Sequence, residues 1–254
     1  MAKTFYYDSV GLLESSINDG TKTSGPDDFS DASTITNESR IIDQNISLAS
    51  TDWANTDALQ FDLGSAKTVN FLALYFNATE GDDVSLYYST ASDTITGTAV
   101  DITDEISSGW TVSAFSNQSK RYWILASESG GGITGLTEAI IGGKLEFEMN
   151  PDVGIGEQEI YGTSLVRSLG GAEYANKLHD PISTISMNFS NVSSTFKDSL
   201  QSMEAQVTNY KKFIYSEDGT TGPFHYVRLD GPISYSEVAY QRYSASFTLR
   251  EQLS

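Results

Sequence analysis

Only two histidines, His179 and His225, are available for acid or base work near neutral pH. His179 stands in Leu178-His179-Asp180-Pro181, which reads as a turn before a strand. His225 stands in the aromatic run Phe224-His225-Tyr226, which reads as part of a strand. So far apart in the chain, they do not read as a zinc pair. The absence of cysteine removes thiolate nucleophiles, thiolate metal ligands and disulfides. Paired carboxylates occur at Asp27-Asp28, Asp82-Asp83, Asp104-Glu105 and Glu217-Asp218. Each pair is bordered by turn residues, so these read as solvated loop groups; a glycosidase needs two carboxylates held across a cleft. Glu80-Gly81-Asp82-Asp83 offers oxygen ligands for calcium without EF-hand spacing. No Gly-x-Ser-x-Gly elbow, Walker loop or His-Glu-x-x-His occurs. Ser168-Leu169-Gly170-Gly171-Ala172 lacks the Lys-Ser/Thr that cradles phosphate and reads as a hairpin turn. The expectation is a chain with no catalytic residue, no cofactor and no metal. No ligand-binding residue is assigned.

The elements that would position any site are mostly strands. Ala58 to Leu63 alternates apolar and polar, as a half-buried strand does, and Val69 to Phe76 is apolar enough to be buried on both faces. Val84–Ser89, Arg121–Ala126 and Glu138–Phe147 follow, joined by segments rich in Gly, Asp, Ser and Thr. Asn150 to Gly156 favours neither helix nor strand and reads as a boundary. Beyond it, strands are expected at 158–168, 183–189, 212–216, 224–229 and 240–251. One helix is expected over 194–210. There Phe196, Leu200, Met203, Val207 and Tyr210 fall on one stripe, with Lys197, Asp198, Gln201 and Glu204 on the solvated side. Thr195 or a serine before it can cap the start. Trp53, Trp110 and Trp123 lie in or beside expected strands and read as core, Trp123 most clearly because its neighbours are apolar.

The division read from this pattern is a lead-in over 1–30, an all-β domain over 31–150 and a β domain with one helix over 151–254. A formal charge of -19 repels phosphates and anionic membrane surfaces, so neither nucleic acid nor a membrane is an expected partner. No apolar run approaches 18 residues, and Met1 to Asp8 carries no signal-peptide core, so a chain made in a cytoplasm is expected. Six Asn-x-Ser/Thr sequons, the first at Asn37, follow from a composition rich in those residues.

Residues 35–145 resemble the discoidin-like, factor 5/8 type C domains. The match runs in order through Arg40-Ile41-Ile42-Asp43, Asp52-Trp53, Leu59 to Gly64, Val69 to Leu74, Val84 to Thr90, Lys120 to Leu125 and Glu138 to Gly143. That resemblance implies a galactose-binding-like jelly-roll β-sandwich and contact with a glycan or host surface, with no ligand residue carried over. Residues 157–254 resemble phage tail and baseplate proteins, of the distal tail or tail tube type. Thr163 to Gly171, Ile185 to Ser193 with the helix to Met203, Gly222-Pro223-Phe224 and Tyr243 to Leu249 carry it. It implies a second β-sandwich with one flanking amphipathic helix. It also implies a structural virion tail protein that forms a homo-oligomeric ring, a hexamer, and meets other tail proteins. A stand-alone carbohydrate-binding protein and a glycan-active enzyme are the alternatives.

Overall fold

The computed structural model describes residues 2–12, 37–50, 53, 57–77, 84–92, 94–102, 108–127, 133–152 and 156–252. Most of the expected lead-in, 13–30, lies outside that set. So do Asp52 and the carboxylates of Asp27, Asp28, Glu80, Asp82, Asp83, Asp104 and Glu105.

The described chain is mostly β with one α-helix. Its strands are β1 (Thr4–Tyr7), β2 (Ala58–Phe76), β3 (Val84–Ser89), β4 (Gly97–Ile102), β5 (Gly109–Ser127), β6 (Leu136–Glu146), β7 (Gly156–Arg167) and β8 (Glu173–Ser193). After the helix α1 (Ser194–Val207) come β9 (Phe213–Ser216), β10 (Phe224–Leu229), β11 (Ser234–Ala239) and β12 (Arg242–Glu251). A short 3-10 helix spans Glu38–Ile42. Every pairing is antiparallel, in the order β4-β3-β5-β2-β6-β1-β9-β10-β12-β8-β7, with β11 also on β12.

Strand β2 shows how sequence becomes packing. The expected strands over 58–63 and 69–76 are one strand, interrupted where its register against β5 shifts between Asp62 and Lys67 and between Val69 and Phe71. An extra residue moves the alternation to the other face. Leu59 and Phe61 before the shifts, and Leu72, Leu74 and Phe76 after them, therefore enter the same core with Trp123, Leu125 and Ile141. Phe71 and Ala73 face the other way, into a cluster with Tyr6, Ile140, Ile214 and Tyr226. That is why Val69 to Phe76 carries so little polar material.

A second core gathers Phe147, Phe189, Phe213, Phe247 and the helix stripe Phe196, Leu200, Met203 and Val207. Ser193 caps α1, its Oγ accepting the Phe196 N–H at 3.1 Å. The helix ends three residues before the expected point. Thr208 takes φ 50°, which turns the chain out of the helix, and Tyr210 is left 71% exposed instead of on the stripe.

Strand β1 lies between β6 and β9, so its four residues join the strands of both cores into one path. Phe5 points into the second core and Tyr6 into the cluster between the cores. Where β1 ends, it runs so close to β6 that a Cβ on Gly142 would meet the Tyr7 carbonyl oxygen at 2.3 Å. Strands β4 and β11, the first half of β5 and most of β8 were not expected from the sequence.

Candidate functional site

Strand β8 pairs with β12 only from Thr184 to Ser193, whereas it pairs with β7 from Glu173 to Ser186. The ribbon from Ile160 to Ile182 therefore projects as two strands with no third described strand beside them. Its base is marked by register shifts at Ile160/Gly162 and Gly162/Thr163. Pro181, which has no N–H to donate, falls at that irregularity. The Ser168–Ala172 segment closes the tip through Ser168 N–H to Ala172 O at 2.8 Å. The hairpin turn expected there is present.

An isolated two-stranded hairpin is marginal in water. This one carries Tyr161, Leu165, Val166, Leu169, Tyr174 and Leu178, each 54% to 112% exposed. They occupy both faces, since Leu165 opposes Ala175 on one side and Val166 opposes Tyr174 on the other. Burying such side chains is worth about 1.5–3 kcal/mol each. Arg167 pairs with Glu173 and Lys177 with Asp180, so the arm has no formal charge in a chain of -19.

The outer edge of β7 has no described strand beside it, and neither does that of β11. The four strands β11-β12-β8-β7 thus form a sheet open at both ends. Unpaired N–H and C=O groups along an edge are a template for another strand. Val238 in β11 is 53% exposed and Tyr240 just after it 86% exposed, so the β11 edge is also apolar.

Of the described residues singled out for chemistry, His225 and Glu217 meet, while His179 stands in a different strand. His179 is in β8 rather than in a turn. Its ring covers Gly162, where a Cβ would stand 2.2 Å from the imidazole, and its Nδ1 is 2.6 Å from the Asp180 carbonyl. His225 is in β10, stacked on Tyr215, with Nε2 3.4 Å from Glu217 and Nδ1 3.7 Å from Glu251. No group of three His, Cys, Asp or Glu among the described residues could hold a metal. Trp53 and Trp123 are core residues; Trp110 is half-buried between Tyr75 and Tyr226.

Electrostatic perturbation concentrates where the two cores meet. Burial pushes the Glu138 carboxyl well above the usual carboxylate range, helped by the nearby Asp43 charge and opposed by the Gln44 and Asn45 N–H groups and by Lys212. Burial lowers Lys212, against the raising effect of Glu138 and Asp43. Burial raises the Tyr226 hydroxyl, and both carboxylates add to it. On the other side of β1, burial and the Glu146 charge raise Tyr6 to about 12.

Sequence reasoning found the β7 half of the arm and its turn but missed the β8 half from Glu173 to Ile182. Arg167 and Glu173 stand equally far from the turn centre at Gly170, and an opposite-charge pair at such positions is the mark of cross-strand register.

Fold and site together define a class: a β-sheet protein with a net-neutral arm that exposes apolar side chains, and with open sheet edges. No known protein family matches the chain, and no curated protein sequence does. Among solved structures, part of the chain is similar to chitosan-binding module 1 of a chitosanase/glucanase from Paenibacillus sp. IK-5. That match has 22% identity and TM-score 0.35, over 41% of this chain and 83% of the module. It is similar to module 2 of the same enzyme, solved with chitotriose, at 18% identity and TM-score 0.35, over 41% and 85%. A selenomethionine-labelled variant of module 1 gives 19% and 0.39, over 54% and 100%.

Proposed function

We propose that this protein is a structural assembly component that joins to copies of itself through the β7–β8 arm and the open edges of the β11-β12-β8-β7 sheet. The observation that carries the reading is the arm itself, with apolar side chains exposed on both faces and, among the described residues, no third strand beside it. A second copy is a suitable occupant because the arm, whose two cations and two carboxylates cancel, adds no charge of its own to the repulsion between the acidic bodies. The two edges differ, so the β7 edge of one copy meets the β11 edge of the next, a heterologous contact that closes into a ring. The resemblance to distal tail and tail tube proteins supports a hexamer within a virion tail, with the β2–β6 unit free for other contacts.

Light scattering on the purified chain tests this. The expected result is a discrete oligomer that Val166→Asp with Leu169→Asp converts to a monomer of unchanged circular dichroism. A wild-type chain that stays monomeric at all concentrations overturns it.

A carbohydrate-binding protein is the second reading. The jelly-roll order of its sequence motifs speaks for it, and the modules reported above are chitosan-binding. Glycan-array binding that survives monomerisation of the arm variant would favour it. Neither reading assigns a catalytic residue.

A further inference from the structure

Residues 37–50 cross the meeting place of the two cores, and one residue ties them down. The Gln44 side-chain oxygen accepts the Lys212 N–H at 2.8 Å, and its carbonyl accepts from Lys212 Nζ at 2.5 Å. Beneath this clasp lies Glu138 of β6, 2% exposed. The Gln44 and Asn45 N–H groups face its carboxyl, but the Asn45 N–H donates to Asp43 Oδ1 at 2.7 Å, and the Glu138 Oε2 has no partner. A cavity of about 20 Å³, lined by Asp8, Ile42, Gln44, Glu138 and Lys212 among others, adjoins it. That volume is about one water molecule.

We propose that Glu138 is a proton-operated latch: protonated, it holds residues 37–50 against the Lys212 side of the junction; ionised, it lets them lift.

The groups that face it come from every side. Asp43 sits on the crossing segment, with Arg40 one turn before it. Lys212 precedes β9, and Tyr226 comes from β10 with its own hydroxyl unpartnered. Asp8, following β1, is occupied by the N–H groups of Val10, Gly11 and Leu12 and by Lys211 at 3.8 Å. Among the described residues, Lys212 is the one cation that offsets both Glu138 and Asp43, and it is already bonded to Gln44. An ionised Glu138 therefore leaves a buried oxygen with no donor beside a second negative charge. Leaving a buried charge unpaired is costly. The adjoining cavity has room for about one water, and fuller hydration of the carboxylate requires the Gln44 clasp to open. Ile46 would then uncover the cluster that contains Phe71, Ile140 and Tyr226.

Hydrogen exchange on the full chain between about pH 5 and 9, corrected for the intrinsic pH dependence of exchange, tests the latch. Protection of the Gln44 and Asn45 amides is expected to fall by about tenfold or more with rising pH, while β2 and β8 amides keep theirs. Glu138→Gln should keep protection throughout. Asp43→Asn removes the neighbouring charge and should move the midpoint to lower pH, which decides the matter should Glu138→Gln fail to fold. A flat wild-type profile, a Glu138→Gln profile like the wild type, or an unmoved midpoint in Asp43→Asn overturns the latch.

Discussion

Phe5→Ala tests how firmly the two cores are coupled. Phe5 is wholly buried in β1, and its ring meets four others: Phe147 at 4.7 Å, Phe213 at 5.2 Å, Tyr215 at 5.8 Å and Phe247 at 5.9 Å. Truncating a buried phenylalanine costs about 3–5 kcal/mol through lost transfer energy and the cavity left behind. The upper part of that range is expected, because edge-to-face pairs add about 0.5–1.5 kcal/mol each and the surrounding strands are hydrogen-bonded on both sides. Since folded domains are stable by roughly 5–15 kcal/mol, the change removes a large fraction of the whole. The assay uses an accident of composition: Trp53, Trp110 and Trp123 all lie between β1 and β6, whereas the Phe5 ring lies in the second core. Urea unfolding followed by tryptophan fluorescence therefore reports on the first core through Trp53 and Trp123, and through Trp110 on the contact with Tyr226 of β10. If β1 makes the sheet one cooperative unit, the fluorescence midpoint falls together with the far-UV circular dichroism midpoint. A fluorescence transition that stays in place while the dichroism splits in two would refute the coupling. A loss below about 1 kcal/mol would refute the packing argument.

Further predictions concern the joints of the fold and its surface. Gly142→Ala drives a methyl into the Tyr7 carbonyl and should destabilise the fold by about 1–3 kcal/mol in thermal unfolding, as overpacking does. Ser193→Ala removes the α1 cap and its bond to Glu148 Oε2 at 2.6 Å, at a cost of about 1 kcal/mol. Arg121 donates to both Asp62 oxygens at 2.7 and 2.8 Å, which holds that carboxyl below its ordinary range. A depressed carboxylate contributes stability that is present above its unfolded pKa and lost as the pH falls through the folded value. Arg121→Ala should therefore return Asp62 to the ordinary range in a carboxyl NMR titration and flatten that acid-side loss. Cysteine-free, the chain also permits clean cross-linking. Ser164→Cys with Ser236→Cys should give a ladder under oxidation if the β7 and β11 edges of neighbouring copies meet, and only monomer if they do not.

Local pattern determined a good deal of this molecule. The steps of four, three and four from Phe196 to Val207 define a helical stripe, because a 3.6-residue period places those side chains on one face. The alternation in Tyr243–Leu249 defines a half-buried strand for the same kind of reason, whereas Ala58–Leu63, which alternates too, is buried on both faces, with Ala58 and Gln60 covered opposite Leu59 and Phe61. The absence of cysteine excluded a thiolate site from composition alone. What escaped local reading depended on partners distant in the chain. Phe5 and Tyr6 in an apolar lead-in carry no sign that they will lie between β6 and β9. Tyr210 continues the helical stripe on paper, yet Thr208 turns the chain away. Glu138 looks like any strand glutamate until the 37–50 segment and Lys212 close over it. The arm is the clearest case: its apolar residues resemble those of an ordinary core strand, and only the end of the β8–β12 ladder at Thr184 leaves them in water. Periodicity reports which side chains share a face. Whether that face is covered, and by what, is settled by pairings between residues far apart in sequence.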